Sequence, residues 1–253
     1  MDVEIVFEEH PDLRDPIFVE GLPGVGNVGK LAAEHLLEEV GAKLFAVVFS
    51  KYFPPQVLVE DDGTIKLVRN ELYYYRRKGD VGPDIILLVG DYQGLTPEGQ
   101  YELSAAIIDL CTDLGVKRIY TLGGFGVGKM VEEPRVLGAA TTLELVEEMN
   151  NNGVIFSKGE PGSGIVGASG LLLGLGHNKG IEAVCLMGET SGYFIDPNAA
   201  RKLLMILSKL LDLELDLSKL EEKAEQIERI TTKLKDIEKM EKEGSHEDLN
   251  YIG

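Results

Sequence analysis

The sequence predicts an α/β fold, a three-layer sandwich with a largely parallel or mixed central sheet, followed by a C-terminal amphipathic helical tail. Three observations carry this expectation. Short apolar, β-rich runs recur between segments of helical length, the rhythm of strand–helix–strand units. Those runs are apolar throughout instead of alternating, as strands covered on both faces are. The chain also contains 30 glycines in 253 residues and no tryptophan, about twice the usual glycine share, so turns and close backbone approaches must carry unusual weight.

In chain order, residues 17–20, 44–49, 84–89, 118–122 and 181–187 read as buried strands. Residues 29–40, 97–114, 142–150, 164–177 and 197–211 have helical length. Asp196-Pro197 has the form of an N-cap with proline at the first helical position. Gly41, Gly115 and Gly153 stand where helix-terminating glycines belong. Residues 56–60, 65–69 and 72–78 interrupt the rhythm as a small antiparallel meander, with Asp61-Asp62-Gly63 as a tight turn. The run Tyr73-Tyr74-Tyr75 places tyrosines on both faces of its strand, suiting either an edge covered by a partner subunit or packing against the chain's own helices.

The domain expectation is one α/β unit over residues 1–217 and a charged appendage over 218–253. The appendage has 10 acidic and 7 basic residues in 36. Its apolar positions Leu220, Ala224, Ile227, Ile230, Leu234, Ile237 and Met240 fall three or four apart, one stripe of a long helix. After them Leu249, Tyr251 and Ile252 are out of character for a solvated terminus and are the candidate partner-docking residues.

Composition narrows the function. With 25 basic against 43 acidic residues the formal charge is −18, a field that repels nucleic acid and anionic membrane surfaces. No apolar run reaches the length of a membrane span, and the acidic start is unlike a signal peptide. A cytoplasmic protein is the expectation. Cys111 and Cys185 lie in apolar stretches far from any zinc-ligand spacing, and read as buried free thiols.

Chemistry is hard to assemble from the motifs. Gly21-Leu22-Pro23-Gly24-Val25-Gly26-Asn27-Val28-Gly29-Lys30 contains G-x-G-x-x-G after a strand and before a helix. The next strand, however, ends Phe49-Ser50-Lys51 without the carboxylate that holds a ribose hydroxyl. The same stretch reads G-x-x-x-x-G-K, but Leu31 replaces the magnesium-ligating Ser or Thr. A structural glycine turn is favoured. The second cluster, Gly123 to Lys129, and the third, Gly159 to Gly164, are loops able to cradle an anion, although Glu132, Glu133, Glu160 and Glu189 argue against phosphate. His10, His35, His177 and His246 lie far apart, and none has a second His or Cys at i+3 or i+4 of the kind zinc-binding helices use. Gly167-Ala168-Ser169-Gly170 lacks the spacing of a nucleophile elbow and falls inside an apolar helix. Asp91, at the end of a strand, is the best lone carboxylate, with a turn or cap aspartate as the plainer alternative. No catalytic residue, metal site or cofactor site is assigned.

Taken in order, several stretches are similar to the PAC2 family, the fold family of the proteasome assembly chaperones and their archaeal homologues. They are Gly24-Val25-Gly26-Asn27-Val28-Gly29, Asp91-Tyr92-Gln93-Gly94 after its strand, Gly123-Gly124-Phe125, and the run from Ile165 through Gly170 to Leu172. Met187-Gly188-Glu189-Thr190-Ser191-Gly192-Tyr193 and Asp196-Pro197-Asn198-Ala199-Ala200 complete the set, which covers residues 15–212. The resemblance implies a nucleoside-phosphorylase-like sheet stripped of its catalytic set. It also implies a non-enzymatic chaperone or adaptor that works as a homo-oligomer, a ring by closed symmetry, and binds proteasome α-subunits or a second adaptor protein. Archaeal members commonly dock a C-terminal peptide ending hydrophobic-Tyr-any residue; here Tyr251 stands third from the end, with Leu249 and Ile252 beside it. The competing hypothesis is a nucleotide-binding enzyme using the Gly24–Gly29 and Gly123–Gly128 loops.

Overall fold

The computed structural model describes residues 2–79, 82–156 and 164–226. Among the described residues ten strands are present: β1 (Val3–Phe7), β2 (Ile17–Gly21), β3 (Lys43–Ser50), β4 (Val57–Val59), β5 (Ile65–Leu67), β6 (Asn70–Tyr75), β7 (Ile85–Gly90), β8 (Arg118–Gly126), β9 (Val136–Ala140) and β10 (Glu182–Thr190). The helices are α1 (Val28–Val40), α2 (Pro97–Asp113), α3 (Leu143–Asn151), α4 (Ala168–Asn178) and α5 (Pro197–Leu210). Eight strands form one mixed sheet in the order β1-β3-β6-β7-β2-β8-β10-β9. Its centre, β7-β2-β8-β10, is parallel, and β1, β3, β6 and β9 pair antiparallel. The mixed three-layer expectation holds.

Two cores follow from this layering. On one face Phe18, Leu72, Ile86, Ile108 and Leu172 pack between the sheet and α2 and α4. On the other, Val19, Leu87, Leu122, Leu36 and Leu203 pack between the sheet and α1 and α5. Successive residues of β2 and β7 thus enter opposite cores, which is why those strands are apolar without alternation. The caps act as their residue types predict: Asp196 Oδ1 accepts from Ala199 N at 2.9 Å. Gly41, Gly115 and Gly153 all carry positive φ. Cys111 and Cys185 are buried and free.

The described part of the appendage, residues 218–226, is helical, and Leu220 is buried in the second core. The stripe expected at Ile227, Ile230, Leu234, Ile237 and Met240 lies outside the described residues. No helix among the described residues is long and apolar enough to cross a membrane.

Four expectations are corrected. The three strands expected of the meander form, and β4 pairs antiparallel with β5, but they do not pair in succession: β4 and β5 make a separate two-stranded sheet, while β6 pairs with β3 and β7. The tyrosine run therefore lies on an interior strand, with Tyr74 in the first core and Tyr73 and Tyr75 against the second. It is not an edge for a partner. The helix expected from residue 164 starts at Ala168, because Gly167 takes φ +87°. A Cβ on Gly170 would stand 2.1 Å from the Ile165 carbonyl oxygen, so the chain entering α4 folds back tightly over its first turn. Finally, Gly123 to Gly126 are strand and not loop, since β8 stays in register with β10 as far as Gly126↔Thr190.

Candidate functional site

An open α/β sheet offers its crevice at the carboxyl ends of its parallel strands. Here that end carries the glycine turn after β2, the Asp91–Gly94 segment after β7, the end of β8, the approach to α4 and the loop after β10. The glycine turn is filled by the protein's own chain. A Cβ on Gly29 would lie 2.0 Å from the Leu122 carbonyl oxygen, and one on Gly124 2.1 Å from the Val25 carbonyl oxygen. Gly26, at φ +61°, backs onto the Thr190 side chain and accepts from Asp196 N at 2.9 Å. Lys30 turns away from the loop: its Nζ donates to the Gly90 carbonyl at 2.8 Å and pairs with Glu34 at 3.1 Å. The glycines allow α1 to lie directly on the sheet, the structural role.

Gln93 ties the crevice shut. Its Nε2 donates to the Pro23 carbonyl at 2.8 Å, and its Oε1 accepts from Ala168 N at 3.0 Å and from Gln100 Nε2 at 3.2 Å. One side chain thereby joins the glycine turn, the start of α4 and helix α2. Beneath it is a cavity of about 20 Å³ lined by Leu22, Gln93, Gln100, Ser104 and Leu172. That is room for about one water, whereas ligand pockets run to roughly 300–1,000 Å³.

Glu20, the penultimate residue of the central strand β2, is fully buried. Register aligns it with Thr121 on β8, and Thr121 with Cys185 on β10. Glu20 Oε1 accepts from Leu22 N at 2.9 Å, and Oε2 accepts from Ser169 Oγ at 3.0 Å. Burial pushes its carboxyl up to about 7, against which the hydrogen bonds from Leu22 and Ser169 pull down. Burial likewise pushes the Cys185 thiol up to about 12, leaving it a poor nucleophile. Ser169 is in the first turn of α4 and serves Glu20, not the interior position expected of it.

The other sequence candidates do not converge. Asp91 is half-buried after β7, and its backbone N donates to the Arg69 carbonyl at 3.3 Å. His35 Nε2 donates to the Asp216 carbonyl at 2.7 Å on the opposite side of the sheet. Glu189 is held by Arg135, whose Nε donates to Oε2 at 2.9 Å, and this partner keeps its carboxyl below the usual range. Among the described residues no group of His, Cys, Asp and Glu is placed to hold a metal ion. Leu249, Tyr251, Ile252 and His246 lie outside the described residues, as does Glu160. Glu20 and Gln93 were missed as site residues; the available signals were a glutamate closing an otherwise apolar strand and a glutamine within Asp91–Gly94.

Comparison with known proteins places this architecture. A sequence model of the PAC2 family matches residues 18–235. The uncharacterized protein MJ1210 of Methanocaldococcus jannaschii is 43% identical over 247 residues, covering 95% of this chain and 93% of that protein. Among solved structures, PbaB of Pyrococcus furiosus, described as an archaeal proteasome activator, matches with a TM-score of 0.89 and 40% identity. The match covers 92% of this chain and 99% of PbaB. PbaA of the same organism, described as an archaeal homolog of proteasome-assembly chaperone, gives a TM-score of 0.77 at 28% identity over 100% of both chains.

Proposed function

The chain belongs to the PAC2 family, and on that footing we propose that it is a proteasome assembly chaperone or adaptor that turns over no substrate and acts as a homo-oligomer. The observation that carries the proposal is the likeness, along nearly the whole of each protein, to PbaB, described as a proteasome activator, and to PbaA, described as a homolog of proteasome-assembly chaperone. The crevice supports it from the other side: where a nucleotide enzyme keeps an open loop, Gly26, Gly29 and Gly124 are packed against Thr190, Leu122 and Val25. Binding is assigned to the tail, through Leu249, Tyr251 and Ile252, with proteasome α-subunits or a second adaptor as the partner. Several tails on one oligomer raise the effective concentration of a weak single anchor.

The test is direct. The full chain is mixed with archaeal proteasome α-subunits, alone and with candidate adaptors, and co-elution is followed by size-exclusion chromatography. A stable complex is expected. Free migration of every component at micromolar concentration contradicts the proposal. In parallel, nucleotides are titrated under thermal shift; a ligand at a hundred times its dissociation constant adds about 2.7 kcal/mol of stability, and such a gain would revive the nucleotide enzyme.

A further inference from the structure

β4 and β5 pair as Val57↔Leu67, Leu58↔Lys66 and Val59↔Ile65. Strand alternation sets Val57, Val59, Ile65 and Leu67 on one face and Leu58 and Lys66 on the other. Leu58 packs on the first core, so the four aliphatic residues point outward, with exposures of 44, 72, 66 and 60%. The hairpin is apolar on the side where an amphipathic ribbon is polar. A lone two-stranded hairpin is marginal in water, and four exposed aliphatic side chains in two facing pairs mark a contact surface.

We propose that this outer face is a self-complementary contact at which a second copy of the chain docks, hairpin against hairpin, about a two-fold axis. The inference rests on the homo-oligomer proposed above and names its interface. Shape is the first argument. At the hairpin base a groove of about 670 Å³ is bounded by Phe49, Phe53, Pro54 and Pro55 together with Val57 and Leu67. Val59 and Ile65 project one pair further out, roughly 7 Å along the ribbon. Knob and hole therefore lie on one face of one hairpin. Antiparallel stacking seats each knob in the other copy's hole simultaneously, as an isologous contact requires.

Charge is the second argument. The tip carries Glu60, Asp61 and Asp62, all exposed, of which Glu60 pairs with Lys66 at 3.1 Å, whereas at the base the exposed Lys51 bordering the groove is paired with Asp2. Antiparallel stacking sets the acidic tip of one copy over the charge-balanced Lys51–Asp2 end of its partner and keeps the two tips apart. Parallel stacking would set acid against acid.

The experiment measures mass by light scattering for the full-length protein and for Val59→Glu and Ile65→Glu made separately, with circular dichroism to verify the fold. The wild type is expected at a multiple of 27.7 kDa, and each variant at no more than half the wild-type mass. Two variants are used so that loss of fold in one leaves the other to decide. A wild-type oligomer whose mass neither substitution changes overturns the hairpin contact and leaves the oligomer standing. A wild type at 27.7 kDa removes the homo-oligomer itself. Mixing chains bearing Val57→Cys with chains bearing Val59→Cys, under mild oxidation, should give cross-linked 57–59 pairs. A predominance of 59–59 pairs would overturn the antiparallel arrangement.

Discussion

At Glu20 a carboxyl is buried against two donors, and the balance sets a measurable pH dependence. Its ordinary value of 4.5 is raised to about 7 in the fold. Between those values the folded protein holds a proton that the unfolded chain has released. The stabilisation from this group is complete below pH 4.5, declines as pH rises, and is lost above about 7, amounting to roughly 3 kcal/mol. The melting temperature of wild type minus that of Glu20→Gln should fall between pH 5 and 8; parallel curves would contradict the assignment. The glycine turn makes a second residue-scale prediction. Gly29→Ala forces a methyl group against the Leu122 carbonyl and should cost roughly 3 kcal/mol in denaturant unfolding. Lys30→Ala loses one carbonyl contact and one ion pair at the surface, about 1 kcal/mol. Equal costs for the two would mean that the turn is not a packing device.

Among the elements, Gln93 joins three segments that the sheet alone does not connect. Gln93→Ala should lower stability by roughly 2 kcal/mol and accelerate amide exchange at Ala168 and along the first turn of α4. Unchanged exchange there would show the clasp to be incidental. The parallel strands and the caps were legible because burial on two faces and capping chemistry are local in sequence. What escaped was set by distant contacts. β9, Val136-Leu137-Gly138-Ala139-Ala140, has weak β propensity and is a strand because Gly138 lets Val154 and Phe156 approach and because it registers with β10. The Tyr73–Tyr75 segment has the same alternation whether it extends a meander or enters the main sheet, and only pairing with β3 and β7 decides. Gly123 to Gly126 looks like a loop in composition, yet the ladder with β10 keeps it extended. The clasp was illegible for the same reason: Pro23, Gln93, Gln100 and Ala168 meet only after folding.

For the whole molecule, the net charge of −18 keeps copies apart at long range, so the proposed homo-oligomer requires short-range apolar contact of the kind the exposed face of the β4–β5 hairpin carries. The crevice at the strand ends is closed by the chain's own packing, and the proposed function accordingly places binding on the tail. Removing residues 244–253 should leave mass and melting temperature unchanged, because the described cores extend no further than Leu220. The most direct measurement is capture of the proteasome α-ring, with and without a partner adaptor, by the intact chain and by the chain lacking residues 244–253, compared at equal oligomer concentration. The account predicts capture by the intact protein and at least a tenfold loss, about 1.4 kcal/mol, on truncation; equal capture by both would place binding on the folded domain and contradict it.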